Sequence, residues 1–287
     1  MIEVRDVSFS YTASPFIRDV SFSVASGEIF GFLGPSGAGK STLQKIMTGL
    51  LPGYKGTVTV AGRDVRRRDR SFYERIGVDF EYPTLYEKLT ARENLEFFAS
   101  LYERRGRSAD ELLSMVGLSQ DGYKKVGAFS KGMKSRLNFA KALAHRPDVL
   151  FLDEPTSGLD PANARDMKAL IRAERDAGRA VILTTHNMHD AAELCDRVAF
   201  IVDGTVRALD TPRNLAMSRG AARIRYSWLS PDPAGALREE TAEINRDATG
   251  TDETFLSLAR EGRLLSVHSL EPTLEDIFID VTGRGLS

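Results

Sequence analysis

The run Gly34-Pro35-Ser36-Gly37-Ala38-Gly39-Lys40-Ser41-Thr42 matches the phosphate-loop pattern of glycine, four residues, glycine, lysine and serine or threonine. The chemistry needs those types at that spacing. Glycines let the backbone curl so that its amides point inward at phosphate oxygens, and a helix opening directly after the loop adds the positive end of its dipole. Lys40 is then placed to reach terminal phosphates, and the Ser41 hydroxyl to ligate magnesium. A second pair of reactive groups closes the run Val149-Leu150-Phe151-Leu152, where Asp153 and Glu154 follow directly. Asp153 at a strand end can hold the magnesium shell, and Glu154 is placed to polarise an attacking water. Alone, such a pair reads as a polar strand end, and a lone glycine-rich run as a turn. Together they read as two halves of one nucleotide site.

The flanking patterns supply the elements that such a site requires. From Ile2 to about Val60 short alternating runs such as Val20-Ser21-Phe22-Ser23-Val24 read as strands. Glu28 to Leu33 is more continuously apolar and reads as a buried strand feeding the loop. Beyond it Leu43, Ile46, Met47 and Leu50 share a helical face from near Lys40. Thr90 with Glu93 and Ser108 with Glu111 match the capping box, and a third helix is expected near Ser130, with Met133, Leu137, Ala140 and Ala144 on one face and Pro147 past its end. Residues 84–145 are therefore expected to form a helical lobe. Strands return at Val149–Leu152 and Ala180–Leu183, with a helix between them from Pro161 to Ala177. Alternating strands and helices imply a largely parallel sheet covered on both faces. Val198–Val202, Asp203-Gly204 and Thr205–Arg207 read as a hairpin with a two-residue turn. Ser230-Pro231-Asp232-Pro233 reads as a loop, and residues 218–287 as a small appended accessory domain after a first domain at 1–217 that holds the nucleotide motifs.

With those motifs in place the chain resembles the ATPase subunits of ABC transporters over about residues 1–215. Phe129-Ser130-Lys131-Gly132-Met133 is similar to the family's signature, Ser157-Gly158-Leu159-Asp160 to its D-loop, and His186 after Thr184-Thr185 to the switch histidine that contacts the terminal phosphate. Tyr11 lies where the family carries an aromatic that stacks on adenine. The resemblance implies an α/β phosphate-loop NTPase fold with a mostly parallel core sheet, an antiparallel N-terminal β-subdomain, a helical signature subdomain and a small C-terminal α+β extension. It also implies ATP and Mg2+ as ligands, with Gly34 to Thr42, Glu81 and Asp160 near the nucleotide and Ser41, Glu81 and Asp153 near the metal. Lys40, Glu154 and His186 carry the hydrolysis. Ser130 and Gly132 are expected to serve the nucleotide of a second copy in a head-to-tail dimer. Read by themselves, Tyr11 and His186 are packing residues and Ser130 a helix cap.

Three residues depart from the family pattern. Within Ile76-Gly77-Val78-Asp79-Phe80-Glu81-Tyr82-Pro83, Glu81 stands where the Q-loop carries glutamine. Lys131 replaces the first glycine of the signature and Met133 its glutamine. The segment Glu271-Pro272-Thr273-Leu274-Glu275-Asp276-Ile277-Phe278-Ile279-Asp280-Val281-Thr282-Gly283 looks like the terminal segment of the branch that exports drugs, antibiotics or polysaccharides through separate membrane subunits. From the residues alone, Thr273 caps a short helix with Leu274, Ile277, Phe278 and Val281 inward.

Bulk properties narrow the class further. The 287 residues carry 39 basic and 40 acidic side chains, so no overall field argues for a nucleic-acid partner. Arg66-Arg67-Arg68-Asp69-Arg70 reads as a solvated turn. One cysteine, Cys195, rules out an internal disulfide framework. Charges near the N-terminus argue against a secretory signal, and no window approaches the roughly 18 apolar residues of a membrane span. The expected role is an exporter's ATPase at the cytoplasmic face of the membrane, beside a separate permease subunit. The alternative is a soluble ABC-type ATPase acting on ribosomes or DNA, whose usual fused second unit or coiled-coil insertion is missing here. A regulatory module without turnover is disfavoured by Glu154 and His186. Because a carboxylate at position 81 brings negative charge towards the terminal phosphate, Glu81→Gln is expected to alter the rate or its magnesium dependence. Unchanged values for both in an ATPase titration would contradict this.

Overall fold

The computed structural model describes every residue except Pro83, Arg105, 220–222, 232–235, Glu271 and 284–287. Pro83 of the Glu81 segment, Asp232 and Pro233 of the expected loop, and Glu271 of the C-terminal segment thus lie outside the described residues. The chain divides into two compact units, Met1–Thr211 and Pro212–Gly283.

Period-two alternation builds the first layer. In β1 (Ile2–Phe9) residues Ile2, Val4, Val7 and Phe9 are buried, and in β2 (Ile17–Val24) Ile17, Val20, Phe22 and Val24. β3 (Ile29–Leu33) is buried on both faces, and α1 (Lys40–Met47) follows it. Leu43, Ile46 and Met47 of α1 face the core, but Leu50, expected on the same face, is 55% exposed. The helix ends at Met47 and Gly49 turns the chain with a positive φ of 75°, which takes Leu50 off the helical face. β4 (Lys55–Val60) and β5 (Arg63–Asp64) complete an antiparallel sheet in the order β2-β1-β4-β5. The exposed arginines after β5 lie beside short helical turns, the second being α2 (Arg70–Tyr73), capped by Asp69. Arg66 donates to the carbonyls of Tyr54 (3.1 Å) and Gly56 (2.8 Å), so this arginine fastens its own chain.

The core sheet adds β6 (Ile76–Asp79), β7 (Val149–Asp153), β8 (Ala180–Thr185), β9 (Arg197–Val202) and β10 (Thr205–Asp210), in the order β10-β9-β3-β8-β7-β6. All its pairings are parallel except β10 with β9. That hairpin turns through Asp203 (φ 48°) and Gly204 (φ 73°), the two positive values of a type I′ turn. Phe151, Ile182 and Phe200 are fully buried, each such side chain contributing about 1.5–3 kcal/mol. Helices α3 (Ala91–Ser100), α4 (Ala109–Met115) and α5 (Lys131–Ala142) form the expected insert, and both capping boxes are present. α6 (Pro161–Asp176) and α7 (Met188–Leu194) connect the later strands.

The second unit comprises α8 (Pro212–Arg219), β11 (Arg223–Pro231), β12 (Leu237–Asn245), α9 (Glu253–Arg260), β13 (Leu264–Leu270) and α10 (Leu274–Thr282). Its strands make an antiparallel sheet in the order β12-β11-β13. Buried Tyr226 of β11 meets Phe255 of α9 at 5.1 Å between ring centroids. The expected loop at Ser230 and Pro231 is instead the end of β11, with Pro231 opposite Leu237. α10 carries the expected Thr273 cap and buries Leu274, Ile277 and Phe278, while Val281 is half-buried.

β6 and α5 pack backbone against backbone at Gly77, where a Cβ would overlap the Ala142 carbonyl oxygen. Gly77→Ala is therefore expected to destabilise the chain by about 1–3 kcal/mol, read as a lower urea midpoint at unchanged m-value. A midpoint equal to that of the parent would contradict this packing.

Candidate active site

β3, β7 and β8 end side by side, with Leu33 opposite Thr185 and Asp153 opposite Thr184. Carboxyl ends of adjacent parallel strands are where open α/β sheets place ligands. The loop from Gly34 curls through three positive-φ glycines, Gly34 (159°), Gly37 (79°) and Gly39 (112°). At Gly34 the chain runs so close to β9 that a Cβ would overlap the Ile201 carbonyl oxygen. Ala38 N donates to Pro35 O (3.2 Å) and Gly204 N to Ala38 O (3.0 Å), which hold the curl from within and from the β9–β10 turn.

Lys40 folds back over the loop and donates to the carbonyls of Gly34 (2.6 Å) and Pro35 (3.1 Å). Burial pushes its pKa below the usual lysine value, opposed by the charges of Glu154 and Asp153. Gly39 stands at the N-cap of α1, which has no side-chain cap and no acidic residue in its first turn. Its first amides and dipole are thus directed at the pocket without a competing side chain.

Asp153 accepts a hydrogen bond from the Thr184 hydroxyl. Glu154, with a left-handed φ of 49°, carries a side chain only 12% exposed. Such a conformation in a non-glycine residue costs about 1–3 kcal/mol and persists only where its surroundings enforce it. Here they do so with three donors: Thr185 Oγ1 to Oε2 (3.0 Å), His186 N to Oε1 (3.0 Å), and His186 Nδ1 against Oε1 (2.7 Å).

A cavity of about 280 Å³ is lined by Phe16, Ser36 to Thr42, Glu81, Asp153, Glu154 and His186. Gly34 and Pro35 contribute carbonyls to Lys40 rather than surface to this cavity. Tyr11, 57% exposed, stands next to it: its hydroxyl lies 3.0 Å from Thr42 Oγ1 and its ring is edge-on to Phe9 and Phe16. Phe16 is the lining aromatic that sequence reading missed. The signal was a second aromatic five positions after Tyr11, just before β2.

Ser130, Gly132 and Asp160 do not line the cavity. Ser130 is exposed and caps α5 through Met133 N (3.2 Å), and Gly132 is covered by Asn163. Asp160 caps α6 through Ala162 N and Asn163 N, both at 3.1 Å, and the Asn163 contacts hold its carboxyl below the usual range. Lys131 extends over Gly158, its ammonium filling the space a Cβ there would need.

The ABC transporter family profile matches residues 17–157. The fluoroquinolones export ATP-binding protein of Mycobacterium tuberculosis is 49% identical, the alignment covering 100% of this chain and 95% of that protein. The chain belongs to the ABC transporter ATP-binding family. The linearmycin resistance ATP-binding protein of Bacillus subtilis is 33% identical over 100% of this chain and 99% of its own length. Among solved structures, an ATP-binding subunit of an ABC transporter superposes with a TM-score of 0.68 at 30% identity, covering 75% of this chain and 92% of the other. A dimeric ATP-binding cassette in a post-hydrolysis state with ADP and Pi superposes with 0.65 at 25% identity, covering 74% and 98%. This family member is an ATP-binding, ATP-hydrolysing subunit.

His186 supplies two of the three donors that hold the Glu154 carboxylate, its backbone N–H and its ring Nδ1, and removing the ring deletes the second. His186→Ala is expected to lower kcat by about 10²-fold, with a far smaller change in KM for ATP. A parental kcat in steady-state phosphate release would contradict this.

Proposed function

We propose that this ATPase energises an exporter of drugs or other small hydrophobic compounds through a separate transmembrane partner. The observation that carries the reading is the convergence of Lys40, Asp153, Glu154 and His186 on one cavity at the ends of β3, β7 and β8. Among the described residues no helix is long and apolar enough to cross a membrane, so the translocation path is assigned to another chain. The relatives' names, fluoroquinolone export and linearmycin resistance, support the substrate class. The working position is peripheral, at the cytoplasmic face of the membrane. Tyr82 and Tyr86, 77% and 50% exposed, follow Glu81 and are proposed to meet the permease.

In the proposed site, Lys40 and the amides of Gly34 to Thr42 hold the phosphates, and Tyr11 stacks on adenine, with Phe16 beside it. Three carboxylates, Glu81, Asp153 and Glu154, face the cavity against one lysine, so a polyphosphate entering alone meets net repulsion. A divalent cation resolves this. Among the described residues no three His, Cys, Asp or Glu side chains form a metal cluster. The donor set fits magnesium, which binds through one or two carboxylates together with substrate phosphates. Ser41, Asp153 and Glu81 would hold it. When bound, magnesium neutralises charge on the transferring phosphoryl group.

Glu154, oriented by Thr185 and His186, takes the proton of the attacking water, while His186 faces the terminal phosphate. Lys40 and the loop amides stabilise the charge that spreads over the phosphoryl oxygens. Ser130 and Gly132 do not line the cavity of their own chain and are proposed to close over the nucleotide of a second copy, head to tail, with Asp160 at the same interface. Residues 1–217 form the ATPase domain in this reading, and 218–287 an accessory domain.

Glu154→Gln is expected to bind ATP with parental affinity while turnover falls by at least about 10²-fold. Substantial hydrolysis by that variant would overturn the base assignment. Co-expression with a candidate permease should confer efflux of a fluoroquinolone that Glu154→Gln abolishes. Efflux of none of a panel of drugs, with ATPase intact, would overturn the export reading.

A further inference from the structure

α5 begins with Ser130 to Gly132 and runs as one helix to Ala142. Two of its polar side chains, one turn apart on the same face, reach the segment that carries Glu81. Asn138 Nδ2 donates to the Asp79 carboxylate and, at 3.4 Å, to the Phe80 carbonyl. Lys141 Nζ donates to Thr84 Oγ1 (2.7 Å) and Thr84 O (3.3 Å), and its ammonium lies 4.8 Å from the Phe98 ring centroid. Both ends of the Glu81 segment are therefore fastened to α5. Between them Glu81 reaches the phosphate cavity.

The inner fastening is expensive for the fold. Asp79 and Asn138 are 5% and 1% exposed, and Asn138 Oδ1 has no hydrogen-bond partner. A buried polar atom without a partner destabilises the fold, and well-packed apolar residues in place of a buried polar pair are often as stable or more so. Stability alone therefore gives no reason for this pair. Position does, because hydrogen bonds fix the strand end against the helix in a way that apolar packing does not.

We propose that Asn138 and Lys141 are positioning residues that set where Glu81 stands in the nucleotide cavity and tie that position to the N-terminus of α5. Lys131 and Lys141 are ten residues apart on one helix, about 15 Å along its axis. A displacement of Ser130 to Gly132 against a second copy is thus carried along a stiff element to the root of the Glu81 segment. The inference rests on the reading of Glu81 as a magnesium ligand.

The test is a four-way comparison of full-length parent, Glu81→Gln, Asn138→Leu and the double variant, reading the magnesium concentration for half-maximal ATPase. Asn138→Leu should shift that concentration by about threefold or more when Glu81 is present, within the range of coupled residues, and leave it nearly unchanged when Glu81→Gln is already in place. ATP binding without magnesium should be equal in Glu81→Gln and the double variant. Should Asn138→Leu fail to fold, the pair Asp79→Leu with Asn138→Leu, which removes both buried polar groups, replaces it with the same expectation. Equal shifts in both backgrounds, or no shift from Asn138→Leu while Glu81→Gln has its own, would overturn the positioning role and leave the Glu81 reading intact. No shift from Glu81→Gln itself would overturn that reading and this inference with it.

Discussion

The turn from β3 into α1 is the constraint on which the site depends. A phosphate cradle needs its amides free and its carbonyls occupied elsewhere. The chain meets that need by folding Lys40 onto the carbonyls of Gly34 and Pro35 and by bonding the Ala38 carbonyl from Gly204. The curl is possible only because β3 is clamped between β8 and β9, which leaves Gly34 pressed on the Ile201 carbonyl. Loop shape is thus set from below by the sheet and from the side by the β9–β10 hairpin.

Electrostatics dictate the second layer. Lys40 is buried beside Asp153 and Glu154, so burial weakens its hold on a proton while the two carboxylates strengthen it. Glu154 is kept in a strained backbone conformation by a contiguous Thr185-His186 pair at the end of the neighbouring strand. Since β7 and β8 are in parallel register with Asp153 opposite Thr184, both pieces are delivered to the same depth by sheet geometry alone. The proposed Glu154–His186 pair therefore needs no flexible loop to assemble it.

Much of this was legible in the order of residues, because a phosphate loop and a strand-end Asp-Glu pair are local patterns. Capping boxes at Thr90, Ser108 and the Ser130 cap were likewise local, and their helices start where the side chains require. Contacts between distant segments were not. Asp79 and Asn138 sit 59 positions apart, and neither residue type announces a buried partner. Phe16 was hidden by Tyr11, the more familiar aromatic. In the second unit, β12 reads Leu-Arg-Glu-Glu-Thr-Ala-Glu-Ile-Asn, with most side chains exposed, so little apolar alternation marks it. Leu50 misled for the opposite reason, since helical spacing continued in the sequence after the helix had turned at Gly49.

Ser130, Gly132 and Asp160 stand apart from the cavity, so a nucleotide held there as proposed would be covered by the lining residues of this chain and not by these three. In the proposed dimer a second copy supplies the other side. Sedimentation equilibrium of Glu154→Gln with saturating ATP and magnesium tests it most directly, with Ser130→Arg added as a second arm. The account predicts a monomer without nucleotide, a dimer with it, and a monomer again when Ser130→Arg is present. A monomer at saturating ATP, or a dimer indifferent to both ATP and Ser130→Arg, would contradict it.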